Sequence, residues 1–175
     1  MKEKDSKGST ENSSISFHCV DAIEVSLCIE KQGLIFYEKA AKKAHAPKVR
    51  EMFQRLADEE KEHIQSLQTK ARFLQPALLN KTSSRKHVDK FIAEQLKGKV
   101  FPDIKGSAEE DIPNFLSDIE ALDLGIQSEQ RSIDVLSELL KKEKKIDVRS
   151  IFAHLLVEEK KHLAGLEVLK KNITT

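Results

Sequence analysis

The sequence has no tryptophan, and aromatic residues make up only 5% of its 175 positions. Six glycines and four prolines are too few for a fold of many short strands and turns. The chain is instead rich in Lys, Glu and Leu, which favours an all-α protein. Its two cysteines, Cys19 and Cys28, form no C-x-x-C pair, so this chain alone builds no thiolate metal site. Cys28 lies in an apolar helical stretch and reads as a small core residue. Neither charge sign dominates. Lys+Arg 30 against Asp+Glu 29 leaves a net charge of +1, which argues against a nucleic-acid surface or an anionic-membrane anchor. No apolar run is long enough to span a bilayer. The N-terminus is polar and lacks the apolar stretch of a signal peptide. Residues 1–15 are expected to form a disordered tail, and the expected location is cytoplasmic.

Apolar residues recur at spacings of three and four, the mark of amphipathic helices. The first helix is expected from about Ser16 to His45, with a seam of Ile23, Leu27, Leu34, Tyr37 and Ala41. Pro47 can open the second, which carries Val49, Phe53, Leu56, Leu67 and Ala71 and stops before Pro76. The third starts near Pro113 or Ser117, where Ser117 and Glu120 have capping-box spacing. Its seam is Leu122, Ile126, Ile133, Leu136 and Leu140. Asp147 is a candidate N-cap for the fourth, whose seam is Val148, Phe152, Leu155, Leu166 and Leu169. Tight turns within each pair imply antiparallel hairpins. Residues 76–112 form a long crossover between them, with a short helix near Lys86–Leu96 and a loop through Gly98, Pro102 and Gly106. The expected fold is a four-helix bundle over residues 16–172 with ferritin-like connectivity.

The hairpins repeat. Adding 99 to a residue number carries Glu30 to Glu129, Phe53 to Phe152, Glu60 to Glu159, Lys61 to Lys160, His63 to His162 and Leu67 to Leu166. Similar hairpins share apolar patterns for structural reasons alone, but that does not explain polar residues repeating inside an apolar seam. Glu30 falls between Leu27 and Leu34, and Glu129 between Ile126 and Ile133. Each Glu-x-x-His, Glu60/His63 and Glu159/His162, presents a carboxylate and an imidazole on one helix face. A lone Glu-x-x-His is usually a solvated surface feature. Here both copies follow another seam Glu by 30 residues. Four buried carboxylates are prohibitive without compensation, and two divalent cations balance their four negative charges. Glu30, Glu60, His63, Glu129, Glu159 and His162 are therefore the candidate ligands of a metal pair, iron or manganese by donor type. Glu60 and Glu159 are expected to bridge. Glu30 and Glu129 would each join one histidine as terminal ligands, with the pairing left open.

Other polar residues carry less signal. Glu24, Glu38, Glu59, Glu62 and Glu158 are expected to face solvent. His18, His45, His87 and His154 match no ligand pattern and are expected at the surface or an interface. Tyr37, the single tyrosine, lies on the Glu30 face. It reads equally as packing with a hydrogen-bonded hydroxyl or as a donor supporting the metals. Its repeat mate is Leu136, so any such support is one-sided.

The Cys28–Tyr37 stretch, with Glu30 and Tyr37 seven apart, resembles the first helix of rubrerythrins. Residues Phe53 to His63 resemble their second-helix signature and Phe152 to His162 the fourth. The resemblance covers about Ser16–Leu74 and Asn114–Leu169. It implies a ferritin-like, non-haem diiron protein that reduces hydrogen peroxide or dioxygen, and a homodimer is expected. Rubrerythrins commonly add a rubredoxin-like domain with two C-x-x-C pairs. None is present here, so electrons are expected from a separate donor such as a rubredoxin-like protein. Rubrerythrins also place a carboxylate one turn after the third-helix ligand. That position here is Ser132, with Gly33 as its mate, which counts against the usual peroxidase route. The alternative is an iron-binding ferroxidase or storage protein.

Overall fold

A computed structural model describes residues 17–74, 85–102 and 117–174. The expected tail over residues 1–15, Gly106 and Pro113 lie outside the described residues. The described part is helical throughout, with α1 at Cys19–Lys43, α2 at Pro47–Leu74, α3 at Arg85–Phe91, α4 at Asp118–Lys142 and α5 at Ile146–Thr174. The crossover helix α3 runs on into one wider π turn over Ile92–Leu96. Its chain then reverses at Gly98, whose φ of 70° suits a residue without a Cβ. The offset of 99 carries both ends of α1 onto both ends of α4. No described helix is long and apolar enough to cross a membrane.

Helix boundaries follow local chemistry. Pro47 opens α2, where its missing N–H costs nothing. Ser117 caps α4, its Oγ accepting from the Glu120 N–H at 3.2 Å. The start of α1 is three residues later than expected. Its N-cap is His18, whose N–H donates to the Asp21 carboxylate at 2.7 Å. The start of α5 is two residues early, at Ile146, so Asp147 sits inside the first turn instead of capping it. There it accepts from the Val148 N–H and from the Cys19 thiol. Arg50 and its repeat mate Arg149 each donate to a carbonyl at the end of the preceding helix, Ala44 and Glu143.

The two hairpins, α1–α2 and α4–α5, carry most of the packing, and α1 touches every other helix. That central place changes its buried face. Leu27 and Leu34 of the expected seam are only half-buried, while Val25, Ile29 and Phe36 are fully enclosed. The crossover is the cause: α3 and its π turn lie against α1, and Phe101 beyond them packs on Phe36 and Tyr37 with ring centroids 5.8 and 6.0 Å away. Seams of α2 and α5 are buried from Val49 to Leu67 and from Val148 to Leu169, as their periodicity requires. A small aromatic complement is thus concentrated where helices meet. Phe17 stands edge-on to Phe91 and Phe152, and Phe53 stacks on Tyr37.

The α1–α2 turn is tied to the second hairpin by Asp118. Its carboxylate accepts from the backbone N–H groups of His45 at 2.8 Å and Ala46 at 2.7 Å. Asp118→Ala leaves two turn donors without their charged acceptor and is expected to cost about 2 kcal/mol. Urea denaturation at neutral pH measures it, and an unchanged midpoint would show that the turn is held by packing alone.

Candidate metal centre

Each of the four long helices brings one carboxylate into the interior. Glu30 on α1, Glu60 on α2, Glu129 on α4 and Glu159 on α5 are all at most 1% exposed. His162 is almost as deep, while the His63 side chain keeps 23% exposure. The helical spacing of three sets each histidine beside its own Glu, and packing then brings the hairpins face to face.

Two three-residue groups result, Glu30–Glu60–His63 and Glu60–Glu129–His162, each with its ligand-type atoms within 4.8 Å of one another. Glu60 belongs to both. His63 Nδ1 lies 3.3 Å from Glu30 Oε2. His162 Nδ1 lies 3.5 Å from Glu60 Oε1 and 3.6 Å from Glu129 Oε1. His63 therefore sits with Glu30 of its own hairpin, whereas His162 lies between Glu129 of its own hairpin and Glu60 of the other. The two rings face each other at 5.9 Å, nearly parallel. Glu159 packs against Glu129 and belongs to neither group. All six residues singled out by spacing are thus in one place.

Charge in this enclosure is costly. Burial pushes the Glu60 and Glu159 carboxyls well above the usual carboxylate range, and neighbouring glutamates add to the shift. Burial also raises Glu129, to about 7, against the opposing hydrogen bonds from Glu159 and Tyr37. The hydrogen bond to Glu30 raises His63. Meanwhile Oε2 of Glu60, Glu129 and Glu159 and both ring nitrogens of His162 have no hydrogen-bond partner among the described residues. Buried acceptors rarely go unsatisfied. Carboxylate oxygens and imidazole nitrogens converging without donors suit divalent cations, which would supply both the charge and the missing bonds.

Several neighbours shape the site. The fully buried Tyr37 donates its hydroxyl to Glu129 Oε1. No counterpart reaches Glu30 from Leu136. Gly33 is required by space, because a Cβ there would lie 2.8 Å from Glu60 Oε1 and 3.3 Å from Phe101. Its mate Ser132 is buried with its hydroxyl unpartnered. Glu62 is exposed as expected, but Glu24 and Glu38 are half-buried. Glu59 does face solvent, with 43% side-chain exposure, and Glu158 is less exposed than expected, but both also act on a histidine of the site. Glu59 Oε2 lies 3.3 Å from Nε2 of His162, on the other hairpin. Glu158 is 19% exposed and acts electrostatically on His63. An acid behind each histidine fixes its orientation when the other ring nitrogen faces a metal. Glu59 and Glu158 are repeat mates, so the offset carried a signal that helix-face reasoning passed over.

The rubrerythrin family model matches residues 21–170. The chain belongs to the rubrerythrin family. It is thereby a member of a metal-binding, diiron carboxylate group within the ferritin-like superfamily, and the helical bundle is the fold of that domain. No curated protein and no solved structure matches the chain. Rubrerythrin membership and the six converging side chains agree on the class of chemistry, a carboxylate-rich dimetal centre.

Two outcomes follow. Glu129 titrates near 4.5 when unfolded and at about 7 when folded. Its contribution to stability is present below the lower value and lost as pH rises through the higher one. The chelator-stripped protein should therefore melt at lower temperature at about pH 8 than at about pH 5, and metal loading should abolish that fall by releasing the protons. A stripped protein that gains stability over this range would refute the assigned burial. Gly33→Ala should displace Glu60 and lower metal affinity by about tenfold or more, read by competition with a chromophoric chelator.

Proposed function

We propose that the protein is a non-haem diiron oxidoreductase that reduces hydrogen peroxide or dioxygen with electrons from an external donor. The observation that carries this reading is the pair of carboxylate–histidine groups sharing Glu60, with Oε2 of Glu60 and Glu129 and the His162 ring nitrogens unpartnered among the described residues. Glu30, Glu60, His63, Glu129, Glu159 and His162 would hold the metal pair, and Glu60, which belongs to both three-residue groups, is placed to serve both ions. Manganese is compatible with the same donors.

When bound, the iron pair supplies electrons and Lewis acidity to a small oxidant. The protein's part is distinct. The four carboxylates neutralise the cations. The buried apolar side chains of Phe36, Phe53 and Leu56 belong to the core that encloses the carboxylates. Tyr37 holds Glu129 in one orientation, and the Glu59 carboxylate stands 3.3 Å from His162 Nε2, where it would orient the ring once Nδ1 is engaged by a metal. The Tyr37 phenol is pushed well above its ordinary range, chiefly by burial and then by Glu129, so it keeps its proton. It can offer that proton at the Glu129 oxygen. Electrons come from a separate protein donor of rubredoxin type.

A second reading, iron oxidation and sequestration, is favoured by one feature. Where rubrerythrins carry an additional carboxylate, this chain buries the short Ser132, and on the mate position Gly33 leaves no room for a side chain. Anaerobic ferrous loading followed by parallel reoxidation with hydrogen peroxide and dioxygen separates the two. The oxidoreductase should hold about two irons per chain, reoxidise faster with peroxide, and be returned to the ferrous state by a rubredoxin-like donor. Faster reoxidation by dioxygen with accumulation of ferric iron would select sequestration. A purified protein that binds neither iron nor manganese, and whose melting is unmoved by either, would overturn both.

A further inference from the structure

The two halves of the centre are related by the repeat, yet they are not equally accessible. Between α2 and α5, at the His63 end, lies a cleft of about 440 Å³ whose walls include both Glu30 and His63. A depression of similar size, about 430 Å³, lies between the same helices at the His162 end, but none of the six candidate ligands lines it. His63 keeps 23% side-chain exposure and His162 only 3%.

Side chains at equivalent positions explain the difference. On the His162 side, Arg55 and Met52 lie over the surface of Gly165, with Arg55 Nη2 3.4 Å and the Met52 methyl 3.7 Å from where a Cβ would stand. Arg55 also pairs with Glu59, which lies 3.3 Å from His162. These three side chains close that end. The offset of 99 replaces Arg55 by the shorter His154 and Met52 by Ile151, while Gly165 corresponds to Ser66. Among the described residues no arginine lines this end, and the cleft reaches the buried Glu30.

We propose that the buried centre exchanges metal with solvent through this one cleft, so that a divalent transition-metal cation meets Glu30 and His63 before it meets Glu129 and His162. This rests on the reading of the six residues as metal ligands. The walls suit such a passenger. The exposed His154 stands at the mouth and can exchange for a water of a hydrated cation, Glu158 and His63 lie deeper on the walls at 19% and 23% side-chain exposure, and Glu30 is enclosed at the floor. Lys70 also lines the mouth, but it is fully solvated there, so its repulsion is screened. The buried carboxylates beyond the floor lie in a low dielectric, where their attraction for a cation is larger.

The test is stopped-flow uptake of Co²⁺ by the stripped full-length chain, followed by its visible absorption bands. Ser66 and Ser150 are exposed wall residues and Val168 is the exposed counterpart on the closed face, so bulky replacements there leave the core intact. Ser66→Phe and Ser150→Phe should each slow uptake about tenfold without changing the final cobalt stoichiometry, whereas Val168→Phe should leave the rate unchanged. Below one equivalent of Co²⁺, paramagnetic shifts should reach the His63 ring before the His162 ring. Normal loading with unchanged rates in the serine variants, an equal slowing by Val168→Phe, or first occupancy at His162 would overturn one-sided exchange and leave the metal assignment standing. A chain that takes up no cobalt, iron or manganese would overturn both.

Discussion

Four carboxylates enclosed in an apolar bundle are the constraint around which the rest of the molecule is arranged. An isolated buried carboxylate costs several kcal/mol or takes up a proton, and here four lie within contact of one another. Protons alone hold the set together poorly, because three carboxylate oxygens and a whole imidazole still lack donors. Cations remove the repulsion and complete the bonding in one step. Affinity for metal and residual instability without it are therefore two expressions of the same burial.

The duplicated hairpin is an economical way to place such a set. One Glu on the first helix and one Glu-x-x-His on the second, repeated at a fixed offset, yield a near-symmetric half-site from each copy. The structure then departs from that symmetry at particular residues. Tyr37 supports Glu129, while the equivalent Leu136 gives Glu30 no donor. Arg55 covers one end of the α2–α5 seam, while His154 leaves the other open. The crossover adds Phe101 on one flank only. These departures place the two halves of the candidate centre in unlike surroundings.

Small residues matter as much as the ligands. Gly33 is needed because Glu60 and Phe101 occupy the space a side chain would take. Ser132, its counterpart, is buried with no partner for its hydroxyl. Both positions lie one turn beyond a ligand, where a longer acid would reach the metals. At Gly33 any side chain would have to displace Glu60 or Phe101, while Ser132 offers only a short hydroxyl.

Periodicity in the sequence was enough to define the four long helices, the hairpin order and the six side chains of the centre. Helix geometry alone decides which residues share a face, and an acid repeated on an apolar face has few explanations. Capping at Ser117 and the opening of α2 at Pro47 were legible for the same local reason. What the pattern could not contain was depth and neighbours across the bundle. Leu27 and Leu34 stand in the expected seam yet are half-exposed, because the crossover shifts the covered face of α1 toward Ile29 and Phe36. Glu59 looked like a solvated acid until the second hairpin set His162 against it. The sequence by itself therefore determined which side chains would converge. Only the tertiary structure decided which histidine pairs with which carboxylate, what holds each in place and which end of the centre stays open, since these depend on contacts between segments far apart in the chain.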